Sequence, residues 1–299
     1  MNNQHMRQPI VLNFDDSTGI PENAFNLNLN PWQEMIRFGC KWSQFNQLSA
    51  YLTDQLPQNT ALGCTLIGSG DYHHITQYLL NRLKDVEPFH LIVCDNHPDN
   101  MRYPFGIHCG SWVYWASLLP QVARIDVIGI GSSDIGWKHA WENHWSPLRH
   151  GKLHYWSIQQ NASWTRWIGA SDAWFNFQNP DDLMQEFLSQ ISSLNLKTYL
   201  SIDKDVLSKD VVMTNWDQGF FLEHHLKDLI TQLKGKLIGA DITGDISEYR
   251  YQSFFKRFLS ASDGQGEELL EENIKLFQIN QKKLNKALIE MINQSWVND

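Results

Sequence analysis

The stretch FHLIVCDNHPDN, which begins at Phe89, carries an apolar run straight into Asp95, His97 and Asp99 at alternate positions. Alternate side chains of an extended backbone point the same way, so these three can converge on one point. Carboxylate oxygens and imidazole nitrogens converging there would hold a cation. Three other segments repeat the arrangement. TLIGSGDYHH places Asp71, His73 and His74 just past an apolar run, YLSIDKD places Asp203 and Asp205, and IGADITGD places Asp241 and Asp245. Each has a plain structural reading as well: His73 and His74 could open a helix, and Asp203 and Asp205 could cap the next one. Three ligand-type side chains at alternate positions directly after a buried run serve no packing purpose, however, and the recurrence strengthens the ligand reading.

Carboxylates with a minority of imidazoles and no thiolate suit a hard or borderline ion such as Mn²⁺. Six to seven candidate ligands exceed what one tetrahedral Zn²⁺ uses. Two ions sharing bridging carboxylates would use them all. Such a pair, roughly 3.5–4 Å apart, activates a water toward an electrophilic carbon, so the expected chemistry is hydrolysis.

These residues need a scaffold that brings four chain segments to one edge. The apolar runs TALGCTLIG, FHLIVC, RIDVIGIG, KTYLSID and KLIGADI lack in-out alternation, as strands of a parallel sheet covered on both faces do. HITQYLLNRLKD and DDLMQEFLSQISSL read as intervening helices, the second opened by Pro180, Asp181 and Asp182. The alternation predicts an α/β fold with its ligands beyond the carboxyl ends of the strands. PIVLNFDD reads as an edge strand. Residues 267–296 read as one long helix that packs over the sheet or against a partner, which leaves a homo-oligomer open. SASDGQGEE before it is the one flexible-looking linker and is too short to divide the chain, so residues 1–299 are read as a single domain.

Composition narrows the partners. A net charge of −9 disfavours nucleic acid, whose phosphates want clustered Lys and Arg. No apolar run is long enough to span a bilayer, and the N-terminus lacks a secretory signal, so a cytoplasmic location is expected. The four cysteines form no CxxC pair and are read as reduced thiols. Seven of the thirteen tryptophans fall within residues 137–174. Core packing is the first reading of that cluster, and an aromatic surface for an extended ligand is the second.

The order GDYHH, DNHPD, SIDKD resembles the metal segments GGDHS, DAHxD and SxDxD of the arginase, agmatinase and formiminoglutamase superfamily, the ureohydrolases, over residues 60–249. The resemblance implies a three-layer α/β/α sandwich around a mainly parallel sheet of about eight strands, with two Mn²⁺ per chain. It makes His73, Asp95, His97, Asp99, Asp203 and Asp205 metal ligands, with His74 as second choice for His73 and with Asp95 and Asp203 as bridges. It gives Asp99 a catalytic place and makes His108, in GIHCGSW, a proton shuttle beside the metals.

Departures from the pattern bear on the substrate. Where arginases carry a guanidinium-binding glutamate this chain has Gly244, so Asp245 or Glu223 would have to replace it. Clamps for the α-amino and α-carboxyl groups of free arginine are not recognisable. The resemblance therefore points to an arginine-containing peptide, converted to ornithine with release of urea, or to a small guanidino or formimino compound. A deacetylase-like amide hydrolase with one Zn²⁺ and a non-catalytic metal protein are the competing readings.

Overall fold

Strands that are apolar on both faces must be covered on both, and the chain satisfies this with a nine-stranded sheet between two helical layers. The computed structural model describes residues 7–57, 62–252, 256 and 271–297. In chain order the strands are β1 (Ile10–Asn13), β2 (Phe25–Asn28), β3 (Thr65–Gly68), β4 (Phe89–Cys94), β5 (Val122–Ile130), β6 (Leu153–Ile158), β7 (Trp174–Phe177), β8 (Thr198–Asp203) and β9 (Leu237–Thr243). They lie in the order β2-β1-β3-β9-β8-β4-β5-β6-β7, every pair parallel. Every residue of the central β4 and β8 is buried.

One face of the sheet, including Leu91, Val93, Ile125 and Val127, packs on Phe45, Leu48 and Leu52 of helix α1 (Trp42–Gln55). The other, including Ile92, Cys94, Leu200 and Ile202, packs on α2 (Pro180–Ser192), α3 (Glu223–Gln232) and α4 (Glu271–Asn293). The three-layer α/β/α expectation holds. Helix α2 forms where its signals stand: Asn179 accepts a hydrogen bond from Asp182 N, Pro180 occupies the first turn, and Leu183, Met184, Phe187 and Ile191 make the buried stripe.

Several expectations shift. PIVLNFDD is not the edge, because Phe25–Asn28 pairs outside it and leaves β1 second from the end. HITQYLLNRLKD opens as a 3-10 turn, Gly70–Ile75, before the helix Thr76–Asn81. The tryptophan-rich segment contributes strands β6 and β7. The C-terminal helix stops at Asn293, where the chain turns so that Ser295 O accepts from Gly235 N and Leu237 N and Val297 N donates to Leu237 O. Buried Gln281, Leu284, Asn285, Leu288, Ile289 and Ile292 seat α4 on its own chain. The segment 267–270 and the linker SASDGQGEE lie outside the described residues. Among the described residues no helix is long and apolar enough to cross a membrane.

The connection leaving β4 leads to β5 on one side, and that leaving β8 leads to β9 on the other. Loops diverging in opposite directions open a crevice at the carboxyl ends of β4 and β8.

Candidate metal centre

Register brings the acids together before any side-chain interaction does. Ile202 pairs with Cys94, so Asp203 and Asp95 leave the sheet side by side. Each then turns its own backbone: Asp95 Oδ1 accepts from His97 N at 2.6 Å, and Asp203 Oδ1 accepts from Asp205 N at 3.1 Å. Asp99 sits at φ 46°, a left-handed conformation that Asp tolerates better than most residues, and Trp112 Nε1 donates to its Oδ2 at 2.6 Å. His73 arrives from the 3-10 turn after β3.

His73 Nδ1 lies 3.2 Å from Asp95 Oδ2, 3.0 Å from Asp99 Oδ2 and 3.5 Å from Asp203 Oδ2. Its Nε2 is 2.9 Å from Ser201 Oγ, whose own hydrogen goes to Asp241 Oδ1 at 2.7 Å. With an Nε2 hydrogen given to Ser201, Nδ1 is left facing the carboxylates; despite burial, Asp95 and Asp99 raise this imidazole well above its ordinary value, and a bound cation would take the Nδ1 lone pair in place of that proton. His97 Nδ1 lies 3.0 Å from Asp205 Oδ2 and 3.5 Å from Asp95 Oδ1, while its Nε2 donates to Asp217 Oδ1 at 2.8 Å. Two donor groups result, His73 with Asp95 and Asp99, and Asp95 with His97 and Asp205. They share Asp95, one oxygen facing each imidazole.

The groups fit a pair of divalent cations. His73 Nδ1 and Asp95 Oδ2 are buried and face each other, yet neither has a hydrogen-bond partner. A cation between them would satisfy both. The electrostatics agree: burial, then the charge of Asp95, pushes Asp99 and Asp205 up to about 7, and burial followed by Asp205 pushes Asp203 well above the carboxylate range. Burial would raise Asp95 also, but His73 and His97 outweigh it and hold this carboxyl low.

Above the donor groups opens a cavity of about 370 Å³, within the usual range for a small-molecule site, roughly 300–1,000 Å³. Among the described residues seven carboxylates line it, Asp95, Asp99, Asp134, Glu142, Asp203, Asp205 and Asp217, with no Lys or Arg. His108 lines it too. Gly110 N donates to His108 Nδ1 at 2.9 Å, which leaves the ring hydrogen on Nε2, and burial lowers the imidazole to about 4.

The remaining candidates lie elsewhere. His74 belongs to neither donor group; it is buried beside Phe45 with both ring nitrogens lacking hydrogen-bond partners. Asp71 is taken by Arg37 Nε at 2.6 Å and Trp216 Nε1 at 3.2 Å. Asp245 cannot hold a substrate guanidinium, because it is fully buried against Lys204 Nζ at 2.6 Å and Asn285 Nδ2 at 3.1 Å. Glu223 also fails in that role: it is exposed at the start of α3 and does not line the cavity. Gly244 is required by the backbone, with φ 85°; a Cβ there would come 2.4 Å from Asp203 Oδ1 and 2.7 Å from Lys204 N. Sequence reading missed Asp134, Glu142 and Asp217 as cavity residues, since nothing in their spacing marks which loop acids turn inward.

A third group, Asp181 with His224 and His225, does not line the cavity. There His225 Nδ1 accepts from Leu222 N at 2.8 Å, which places the ring hydrogen on the Nε2 that meets Asp181 at 2.9 Å. That is a helix-end hydrogen-bond pair, not a free metal ligand. Of the seven tryptophans, Trp156 and Trp164 are core, whereas Trp137, Trp141, Trp145 and Trp167 are exposed.

No family model matches the chain. A Thermotoga maritima protein described only as uncharacterized is 27% identical over 188 residues, 62% of this chain and 58% of that protein; the match spans less than two thirds of its length. Proclavaminate amidino hydrolase from Streptomyces clavuligerus superposes with a TM-score of 0.57 at 14% identity, over 97% of this chain and 92% of that one. Arginase from Bacillus caldovelox gives 0.55 at 12% identity, over 98% and 99%. Formimidoylglutamase from Bacillus subtilis gives 0.53 at 10% identity, over 98% and 89%. The likenesses establish an arginase-like α/β fold.

Proposed function

We propose that this chain is a divergent ureohydrolase, a dinuclear Mn²⁺ hydrolase of a guanidino group that converts arginine residues within peptides to ornithine with release of urea. The observation that carries the reading is Asp95, whose two oxygens face two separate imidazole–carboxylate sets. Solved structures of the same fold include an amidino hydrolase and an arginase. When bound, two manganese ions supply Lewis-acid activation of water for attack on the guanidino carbon. The chain's own residues do the rest. His73 and Asp99 would hold one ion and His97 and Asp205 the other, with Asp95 common to both sets and Asp203, 3.5 Å from His73 Nδ1, beside them. Ser201 and Asp217 aim the two imidazoles through their second nitrogens. His108 presents an Nε2–H at the cavity wall. Cleavage of the bond between the guanidino carbon and Nε leaves Nε to take up a proton as the ornithine amine while the carbon departs in urea.

Two features favour a peptide over free arginine. Among the described residues the cavity lining holds no Lys or Arg to meet a free α-carboxylate. Its Asp134–Asn143 wall is continuous with exposed Trp137, Trp141 and Trp145, an aromatic rim suited to residues flanking the arginine. Metal content and urea release test the reading together. Two Mn per chain are expected, with urea from Mn²⁺-loaded protein and arginine-containing peptides and little from free arginine. Release from free arginine alone would sink the peptide reading, and no urea from any guanidino substrate would sink the hydrolase.

A further inference from the structure

If the substrate carries a guanidinium, some carboxylate must meet it, because its N–H groups pair best with a bidentate acid. Gly244 cannot be that place, since any side chain there collides with Asp203 and Lys204. Asp245 is locked to Lys204 and Asn285. We infer that Asp134 and Glu142, from the loop after β5, form the subsite that holds the substrate's positive charge; the inference rests on the guanidino reading above.

The charge inventory of the cavity leads there. Four of its seven carboxylates, Asp95, Asp99, Asp203 and Asp205, surround the two imidazoles, and two divalent ions offset them. Asp217 is spent on His97 Nε2 at 2.8 Å and Asn96 Nδ2 at 3.0 Å. Asp134 and Glu142 remain. They line the same cavity as His73 and Asp95, both at least nine-tenths buried and carrying the unpartnered Nδ1 and Oδ2. The carboxylate of Asp134 has no hydrogen bond or ion pair among the described residues. Glu142 Oε2 meets only His139 Nδ1, at 2.9 Å, a partly exposed contact that a guanidinium can replace.

The wall is rigidly placed against the metal loop. Buried Asn143 donates from Nδ2 to Asp134 O at 2.9 Å and accepts from Tyr155 OH at 2.7 Å. Arg102 N donates to Glu142 O at 2.6 Å, and Met101 bridges to Asn143, only two residues beyond Asp99. The two acids and the donor groups are thereby held across one cavity, so that a guanidinium lying between them meets both.

The test uses binding, so it does not depend on turnover. Mn²⁺-loaded protein is titrated calorimetrically with a pentapeptide bearing a central arginine and with its citrulline counterpart, which has nearly the same shape and no charge. Wild type should prefer the arginine peptide, and Asp134→Asn and Glu142→Gln should each reduce that preference by about 10–100-fold, the range for losing a hydrogen bond to a charged group. The double variant should lose it, with Mn content and thermal midpoint unchanged. Retention of the preference in the double variant, or its absence in wild type, overturns the subsite. Urea is measured separately: a preference that the double variant abolishes, without urea from wild type, keeps the subsite and refutes the hydrolase.

Discussion

Asp95 is the one residue in both donor groups, so Asp95→Ala should act on two ions at once, whereas Asp99→Ala or Asp205→Ala should act on one. The size of the effect follows from linkage. With free Mn²⁺ a hundredfold above its dissociation constant, each bound ion stabilises the folded chain by about 2.7 kcal/mol. At about 2.1 cal/mol/K per residue, a 299-residue chain unfolds with an entropy of about 0.63 kcal/mol/K. Each ion therefore raises the midpoint by about 4 °C, and two by about 8 °C. Scanning fluorimetry with and without Mn²⁺, alongside elemental analysis of dialysed protein, reads both quantities. Wild type should gain about 8 °C and hold two ions, Asp99→Ala and Asp205→Ala about 4 °C and one, Asp95→Ala neither. Asp95→Ala also loses the contacts by which His73 and His97 hold this carboxyl low, so each variant is compared with its own metal-free form. An Asp95→Ala protein that keeps two ions and the full shift would refute the shared-ligand geometry.

Three other outcomes are expected. His108→Asn should lower turnover by about 10²-fold, at the low end for a positioned proton-transfer group, with metal content unchanged; because burial holds His108 near 4, the neutral-pH shape of the rate profile should not change. Asp245→Asn leaves Lys204 charged and buried beside Asp203 and should cost about 3–5 kcal/mol in urea unfolding without changing substrate preference; a selective rise in KM at unchanged stability would return Asp245 to a substrate role. Asp126 is buried, and His90 and Arg124 hold its carboxyl well below the ordinary value despite that burial. A depressed carboxyl contributes stability above its unfolded pKa and loses it as pH falls, so wild type should weaken below about pH 4. Asp126→Asn should be weaker at neutral pH and flatter in acid; an acid limb identical to wild type's would exclude Asp126 as its source.

Some of this was legible in the residues and some was not. Period-two spacing after unbroken apolar runs is local information, so Asp95, His97 and Asp99 and the pair Asp203 and Asp205 could be read as convergent from the chain alone. The same runs disclosed a parallel sheet covered on both faces. Strands β6 and β7 escaped because aromatic residues serve core and surface alike, and the composition of 137–174 favours neither. The choice between His73 and His74 is a matter of rotation within one 3-10 turn: His73 turns toward Ser201 and the acids, and His74 toward Phe45. Asp245 looked available because only its neighbour Gly244 was visible, whereas its partner Asn285 stands 40 residues away on α4. Which acids face a cavity depends on loops crossing at one sheet edge, and that is settled by strand order. The sequence by itself determined which donor types would meet there; tertiary structure decided which donors share Asp95, which charges are already neutralised, and which carboxylates remain open to a substrate.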